Sequence, residues 1–178
     1  MDNQVHFEFC DYRQVKNKFE RIVSVGAFEH FGKKFYKTFF KKIKNIMTDD
    51  GIFLLHTIGT VDKPGPIQPF IQKRIFPGGV IPSLSDIIGP LEKTGLILSD
   101  CETLIHHYDK TLKAWLDRFM KNKEKAKYMY NREFVRMWEF YLASCSAAFK
   151  FRDLVVYQLQ LVKKFTAPPS NRRNYIYQ

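Results

Sequence analysis

Two side chains that exchange protons readily follow neighbouring apolar segments of this sequence. Glu29 lies in "RIVSVGAFEHFG" (residues 21–32), after a β-branched run and a glycine turn, and His56 lies in "GIFLLHTIG" (residues 51–59). In an open parallel sheet, ligands collect outside the carboxyl ends of the strands. If both segments are parallel strands, Glu29 and His56 face one crevice, where a carboxylate and an imidazole suit acid–base chemistry.

Each candidate residue also has an ordinary structural interpretation. A single histidine in an apolar strand is more often a hydrogen-bonded core residue than a catalyst, and a glutamate after a strand is more often a helix cap. Cys145 falls on the apolar stripe of a predicted helix, as a packed thiol would, and Tyr108 falls at a helix entry. Taken one at a time, none of these residues establishes a site.

The sequence does not predict a metal site. The adjacent pairs Glu29–His30 and His106–His107 would point apart on a regular element instead of converging on one ion. The cysteines lie far apart, with neither zinc-site nor disulfide spacing, at Cys10, Cys101 and Cys145. We therefore expect reduced thiols and no bound metal.

The elements that position Glu29 and His56 follow from hydrophobic periodicity. Residues 5–9 alternate as a strand does, residues 21–25 are short and β-branched, and residues 51–58 form a near-continuous apolar run. Residues 33–47 place apolar and aromatic side chains at helical spacing, with lysines on the other face. A strand, a helix and a strand in this order predict a parallel pair.

The rest of the chain predicts a long irregular segment at residues 61–82, here called the excursion, which could cover the site. A second group of helices and strands follows it. Five of the eight prolines fall in residues 61–82, a long irregular segment of the kind that usually serves a site. A helix, a strand, two helices and a last strand then follow, at residues 83–95, 96–104, 111–125, 131–149 and 153–164. We expect one domain, residues 1–165, and a polar tail, residues 166–178.

Composition narrows the class of protein. A chain of 178 residues with 45% hydrophobic residues is long enough to form a core. Its apolar runs are shorter than the ~18 residues of a membrane span, and its start lacks the features of a signal peptide, so we expect a cytoplasmic location. The net charge of +11 predicts attraction to a polyanion, which is either nucleic acid or an anionic membrane surface.

Five motifs, in order, resemble one family. "RIVSVGAFEHFG", "GIFLLHTIG", "IFPGGVIPS", "HHYDKTLKAWLDRF" and "FYLASCSAAFKFRD" are similar to the carboxyl-terminal half of cyclopropane-fatty-acyl-phospholipid synthases and mycolic acid cyclopropane synthases. The resemblance runs from about residue 11 to residue 164. It implies an α/β fold, specifically part of the Rossmann-like class I S-adenosylmethionine-dependent methyltransferase fold without its first two strands.

The resemblance also implies an activity and a set of site residues. The family methylates a cis double bond of a lipid acyl chain with S-adenosylmethionine, after which loss of a proton closes a cyclopropane ring. A bound bicarbonate would accept that proton. Matching the motifs implies that Glu29, His56, the Ile58 amide and the Tyr108 hydroxyl hold the bicarbonate, with Cys145 lining the pocket. The substrate would be a membrane phospholipid with unsaturated acyl chains, and the lysines of residues 33–47 would face the anionic membrane at its periphery.

The sequence departs from the family at the cofactor. The family binds S-adenosylmethionine through a glycine-rich loop after its first strand, and no such loop occurs in this sequence. Residues 1–10 resemble the approach to the family's third strand, so we expect the missing segments, including a further pocket cysteine, to lie upstream of a truncated chain. Asp11 and Tyr12 fall where the family's adenine-side contacts follow that strand, and they are weak candidates for the cofactor.

Three functions therefore remain open from the sequence. The first is a lipid methyltransferase, the second is a catalytically silent remnant that acts as a binding or scaffold module, and the third is a nucleic-acid binder. Lysines spread over several helices and the lack of a stacking motif argue against nucleic acid, so we expect no such partner. Salt-dependent retention on DNA, with none on anionic vesicles, would favour the third function.

The truncation makes a prediction about strand 21–25. In the usual order of such sheets, this strand pairs with the first strand of the domain, which the sequence lacks. An open strand edge exposes unpaired amides and carbonyls that can pair with another chain. We expect the edge to be covered, either by the strand at residues 5–9 or by a second copy in a homodimer.

Overall fold

Four strands form one mixed sheet in this computed structural model, which describes residues 5–168 and 173–176. The strands are β1 (Phe19–Val25), β2 (Met47–Thr60), β3 (Ile97–Leu104) and β4 (Leu154–Val162). The helices are α1 (Tyr36–Ile46), α2 (Pro69–Arg74), α3 (Leu84–Glu92), α4 (His107–Lys121), α5 (Lys123–Met129) and α6 (Arg132–Phe151).

The strand order is β1-β2-β4-β3, with β1 and β2 parallel and the other two pairs antiparallel. The predicted parallel pair is confirmed, and α1 is the helix that connects its strands. Val25 pairs with His56, so both strands bring their carboxyl ends to the same edge of the sheet.

Side chains from α1, α3 and the sheet form the larger of two apolar clusters. The aromatic rings of α1 meet Phe28, whose ring stacks on Tyr36 with centroids 3.9 Å apart. On β2, Phe53 and Leu55 are fully buried in the same cluster. A capping box between Ser83 and Asp86 starts α3, as the serine before this helix predicts.

The other sheet face carries the α4–α6 pair at one end. Leu112 of α4, together with Leu142 and Phe149 of α6, packs with Val156 of β4. Ile58 of β2 borders this second cluster. Because side chains alternate along a strand, Phe53 and Leu55 face α1 while His56 and Ile58 face the opposite side.

The first predicted strand is wrong. Residues 5–9 form no strand, and their aromatic side chains Phe7 and Phe9 are 92% and 110% exposed. In the described residues no strand pairs with the outer edge of β1, where Val23 and Val25 are each 64% exposed. The alternation at 5–9 predicts a strand only if a neighbouring strand is present to pair with it, and β1 does not pair with these residues.

One other expectation needs correction. The helix predicted at 111–125 begins earlier and divides at Asn122, whose φ of −109° and ψ of 15° are outside the helical range, into α4 and α5. In the polar tail, the Arg173 Nε donates to Asp100 Oδ2 of β3 at 2.8 Å. None of the helices in residues 5–168 and 173–176 has both the length and the hydropathy that crossing a bilayer requires.

Candidate active site

A cavity of about 260 Å³ lies where β1 and β2 end, between the excursion at residues 61–82 and the α4–α6 pair. Its walls are mainly apolar, and the lining residues with polar side-chain atoms are Glu29, His30, Tyr108, Trp115, Tyr141 and Cys145. Concave apolar sites with a few converging polar groups are typical of ligand-binding sites. The cavity therefore unites four of the sequence-predicted positions, Glu29, Ile58, Tyr108 and Cys145.

The turn after β1 delivers Glu29 into this cavity. Gly26 has a φ of +66°, a conformation that glycine adopts without strain, and its amide donates to the His56 carbonyl oxygen at 3.1 Å. A 3-10 turn at Phe28–His30 follows and carries the carboxylate. The β-branched strand thus ends at a glycine because the chain must turn sharply to place Glu29.

The Glu29 carboxylate is buried and only half satisfied. The residue is 8% exposed, and its Oε1 accepts a hydrogen bond from the Ile58 amide at 2.7 Å. Its Oε2 has no hydrogen-bond partner among the described residues, and neither does the buried Tyr36 hydroxyl. A buried carboxylate oxygen without a partner is costly, and such atoms often mark a site for a ligand.

Backbone hydrogen bonds connect the excursion to the turn after β1 and to the end of β2. The Val80 amide donates to the Glu29 carbonyl oxygen at 2.8 Å, and the Thr60 amide donates to the Pro82 carbonyl oxygen at 3.0 Å. These bonds hold Phe76 and Val80 against the cavity as walls. The predicted role of the excursion as a segment that borders the site is consistent with this arrangement.

Tyr108 is the second residue of α4, as its predicted helix-entry position requires. His106 precedes it with a φ of +62°, a left-handed conformation that redirects the chain from β3 into the helix. The Tyr108 ring stacks on Phe149, with centroids 5.1 Å apart. Burial, and next the negative charge of Glu29, raises the pKa of Tyr108, so its hydroxyl remains a hydrogen-bond donor at neutral pH.

Cys145 lies on the inner face of α6, beside Tyr141. Burial raises the pKa of the Cys145 thiol to about 11, and burial likewise raises the pKa of Tyr141 to about 12. At neutral pH both groups are protonated, so Cys145 lines the cavity as a thiol and not as a nucleophilic thiolate. Tyr141 is not among the site residues that the sequence predicts, although its one-turn spacing to Cys145 indicates that both share a helix face.

His56 lies beside the cavity and does not line it. Its side chain is half-buried on the same face of β2 as Ile58, two residues further along. Its Nδ1 is hydrogen-bonded to Gln158 Oε1 at 3.0 Å. The structure therefore brings His56 to the margin of the group formed by Glu29, Ile58, Tyr108 and Cys145.

Asp11 and Tyr12 are engaged elsewhere. The Asp11 carboxylate accepts hydrogen bonds from the Arg13 side chain, which lowers the Asp11 pKa to about 2. The Tyr12 ring packs against Phe31 and Phe39, with centroids 5.2 and 5.6 Å away. Neither residue borders the cavity. In residues 5–168 and 173–176 there is also no group of three or more His, Cys, Asp or Glu side chains placed to hold a metal ion.

Comparison with known proteins identifies the family. The family model described as mycolic acid cyclopropane synthetase matches residues 1–159. The cyclopropane-fatty-acyl-phospholipid synthase of Escherichia coli (strain K12) is 40% identical over 149 residues, which cover 84% of this chain and 39% of that protein. The tuberculostearic acid methyltransferase UfaA1 of Mycobacterium tuberculosis is 34% identical and is covered over 40% of its length. The chain thus spans about two-fifths of these relatives.

Solved structures give the same result for the fold. The cyclopropane synthase MmaA2 from Mycobacterium tuberculosis superposes with a TM-score of 0.78 at 31% identity, over 84% of this chain and 57% of that chain. The mycolic acid cyclopropane synthase CmaA1, solved with SAH and CTAB, superposes with a TM-score of 0.77 over the same shares. The predicted α/β methyltransferase fold, present in part, is therefore confirmed, and the chain belongs to the mycolic acid cyclopropane synthetase family.

Proposed function

We propose that this chain carries the acceptor side of the active site of an S-adenosylmethionine-dependent methyltransferase, which forms cyclopropane rings on unsaturated acyl chains of phospholipids. Membership of the family and the name of the 40% identical relative from Escherichia coli support the reaction class. The observation that carries the proposal is the buried Oε2 of Glu29, which has no partner among the described residues and belongs to a residue lining an apolar cavity.

Bicarbonate suits the donor and acceptor groups of this cavity. The Glu29 Oε2 would accept the bicarbonate proton, and the Tyr108 hydroxyl would donate to a bicarbonate oxygen. The Ile58 amide, which donates to Glu29 Oε1 in this structure, keeps the carboxylate in position. His56 would complete the site from the margin. When bound, bicarbonate supplies a base for the proton that is lost during ring closure.

The apolar walls would serve the same reaction by excluding water. Phe76, Tyr141 and Phe149 enclose the polar groups, and the thiol of Cys145 is neutral. The carbocation that methyl transfer would form reacts readily with water, so a dry cavity would protect it until it loses a proton. The chain would therefore bind the alkene in the apolar part of the cavity and hold the base beside it.

The residues of this chain do not by themselves fit S-adenosylmethionine. The sequence lacks the glycine-rich loop that the family places after its first strand, and with it the close backbone approach and the amide donors that the cofactor requires. Asp11 is paired with Arg13, and Tyr12 is packed on Phe31. We propose that the 178-residue chain alone binds this cofactor weakly, and that its activity depends on the part of the relatives that it does not cover.

A silent binding or scaffold module is the alternative. A cavity that keeps the polar groups but lacks the cofactor site would be consistent with it. Calorimetric titration with S-adenosylmethionine separates the two, together with a ring-formation assay on vesicles of unsaturated phospholipid, read by mass spectrometry of the acyl chains. Ring formation would support the enzyme. Failure of both cofactor binding and ring formation, also when a polypeptide covering the remaining length of the relatives is added, would support the silent module.

We also propose a peripheral contact with anionic membrane on the cytoplasmic side. The lysines of α1 are one candidate, but its apolar face is buried in the core. Residues 118–136, here called the basic tip, suit a bilayer better because this segment contains seven basic and only two acidic residues together with exposed apolar side chains. Tyr128, Met129 and Tyr130 are 92%, 61% and 60% exposed. Aromatic side chains and lysines are favourable at a lipid headgroup boundary.

The outer edge of β1 remains a proposed dimer surface. Val23 and Val25 are exposed beside backbone groups that pair with no strand of the described residues. An edge of this kind pairs readily with another strand, and we propose a second copy of the chain as the partner. Sedimentation of the purified chain tests it, since a homodimer that becomes a monomer on Val23→Lys is expected, and a monomeric wild type would contradict it.

A further inference from the structure

Three polar side chains form one hydrogen-bonded row across the sheet. In the strand register, His56 of β2 lies opposite Gln158 of β4, which lies opposite Glu102 of β3. The His56 Nδ1 and Gln158 Oε1 are 3.0 Å apart, and Gln158 Nε2 donates to Glu102 Oε2 at 2.9 Å. The row thus connects His56 to a carboxylate two strands away.

The chemistry of the row fixes the direction of every hydrogen bond. A carboxylate accepts and does not donate, so the nitrogen of the Gln158 amide must face Glu102. Arg173 pairs with the other carboxylate oxygen of Glu102, with Nη2 and Oε1 3.5 Å apart. The amide oxygen of Gln158 consequently faces His56. Because that oxygen only accepts, the His56 Nδ1 must carry a hydrogen.

The other ring nitrogen is then available to a ligand at the margin of the cavity. Ile58, two residues along β2 and on the same face, lines the cavity, and Gly26, whose amide donates to the His56 carbonyl, lines it too. Within the part of the chain that the structure describes, the His56 Nε2 makes no hydrogen bond. A neutral ring in this tautomer presents Nε2 as an acceptor, and a protonated ring presents it as a donor.

We propose that Gln158 is a positioning residue that keeps the His56 Nδ1 protonated, so that Nε2 is the ring nitrogen left at the margin of the cavity and donates to a small oxyanion there when the ring carries both protons. Glu102 acts one step further away by fixing the orientation of the Gln158 amide. The inference rests on the proposed function for the identity of the oxyanion, which is bicarbonate. The tautomer itself follows from the row alone and needs no ligand.

The tautomer is measurable in the free chain. Long-range proton–nitrogen NMR on protein labelled with ¹⁵N-histidine distinguishes a protonated from an unprotonated ring nitrogen at neutral pH. We expect the His56 Nδ1 to be protonated and Nε2 to be unprotonated in wild type. Gln158→Leu removes the acceptor and should give a mixture of both tautomers. A wild-type ring protonated at Nε2, or a Gln158→Leu ring that stays fully protonated at Nδ1, would overturn the inference.

Two further variants separate positioning from general damage. Gln160→Leu makes the same change two residues along β4 and should leave the His56 tautomer as in wild type. In the double exchange Gln158→Glu with Glu102→Gln, the new carboxylate at position 158 accepts from His56 and the new amide at position 102 donates to that carboxylate. This variant should therefore keep the Nδ1–H tautomer of wild type. If Gln158→Leu does not fold, the His56 tautomer is measured in wild type and in the exchange variant. Nδ1 must be protonated in both for the inference to hold.

Titration with sodium bicarbonate provides the functional readout. We expect Gln158→Leu to weaken bicarbonate binding about tenfold, the effect of losing one hydrogen bond to a positioned group. Unchanged affinity alongside a changed tautomer would overturn the positioning role and leave the proposed function intact. No binding to wild type would contradict the bicarbonate proposal, while the tautomer measurement would still test the row by itself.

Discussion

Replacing Glu29 by glutamine should make the chain more stable, although it removes a proposed functional group. Glutamine has nearly the same shape, and its carbonyl oxygen can keep the hydrogen bond from the Ile58 amide that Oε1 now accepts at 2.7 Å. The change therefore preserves the turn after β1. It replaces the oxygen that has no partner among the described residues by a neutral amide group.

The magnitude follows from the burial of that oxygen. Leaving a buried polar group unsatisfied costs about 1–3 kcal/mol, and more if the group is charged. A neutral amide at the same position is less costly than a carboxylate, so we expect Glu29→Gln to raise the free energy of unfolding by about 1–2 kcal/mol. For a chain of this size that gain corresponds to an increase in Tm of roughly 2–8 °C.

Urea denaturation followed by circular dichroism is the assay. With a slope of about 2 kcal/mol per molar urea, the midpoint should rise by roughly 0.5–1 M. Glu124→Gln is the matched control, because the Glu124 side chain is 82% exposed and its neutralisation should change stability by less than about 0.5 kcal/mol. A loss of more than about 1 kcal/mol in Glu29→Gln would show that the carboxylate is a structural group and refute the reasoning.

Three further predictions concern the fold, the cavity and the membrane surface. Gly59→Ala should destabilise the chain by about 1–3 kcal/mol in the same assay, because a Cβ would lie 2.3 Å from the Tyr157 ring; an unchanged midpoint would count against this. Alkylation of Cys145 should be slow at pH 7 and speed up towards pH 11, since burial raises its pKa to about 11; fast labelling at pH 7 would contradict the burial. The double change of Tyr128 and Tyr130 to serine should reduce binding to anionic vesicles at least several-fold in a sedimentation assay, with equal binding as the contrary result.

The sequence predicts the β1-α1-β2 unit well because strong local periodicity and burial agree there. Apolar alternation, a lysine-faced amphipathic helix and a glycine stop all favour the same parallel pair. Residues 5–9 have comparable alternation but are exposed and pair with no strand of the described residues, and a strand exists only when another strand supplies its hydrogen-bond partners. The division between α4 and α5 depends on the backbone at Asn122, which the apolar pattern does not reveal.

The candidate site is predictable only in part. Motif resemblance identified Glu29, Ile58, Tyr108 and Cys145, which line one cavity, although they are up to 116 residues apart in sequence. It did not identify Gln158, whose contact with His56 depends on the register between β2 and β4. Register is a property of the folded sheet, so no single segment of sequence encodes this contact.

The central claim is that Glu29 and its neighbours form a bicarbonate site. The most direct measurement is a titration of ¹⁵N-labelled chain with sodium bicarbonate at constant pH and ionic strength, following the amide signal of Ile58. This amide donates to the Glu29 carboxylate that would receive the bicarbonate proton, so its signal reports on the site. We predict a saturable shift in wild type and none in Glu29→Gln. A wild-type Ile58 signal that does not move, or one that shifts equally in Glu29→Gln, would contradict the account.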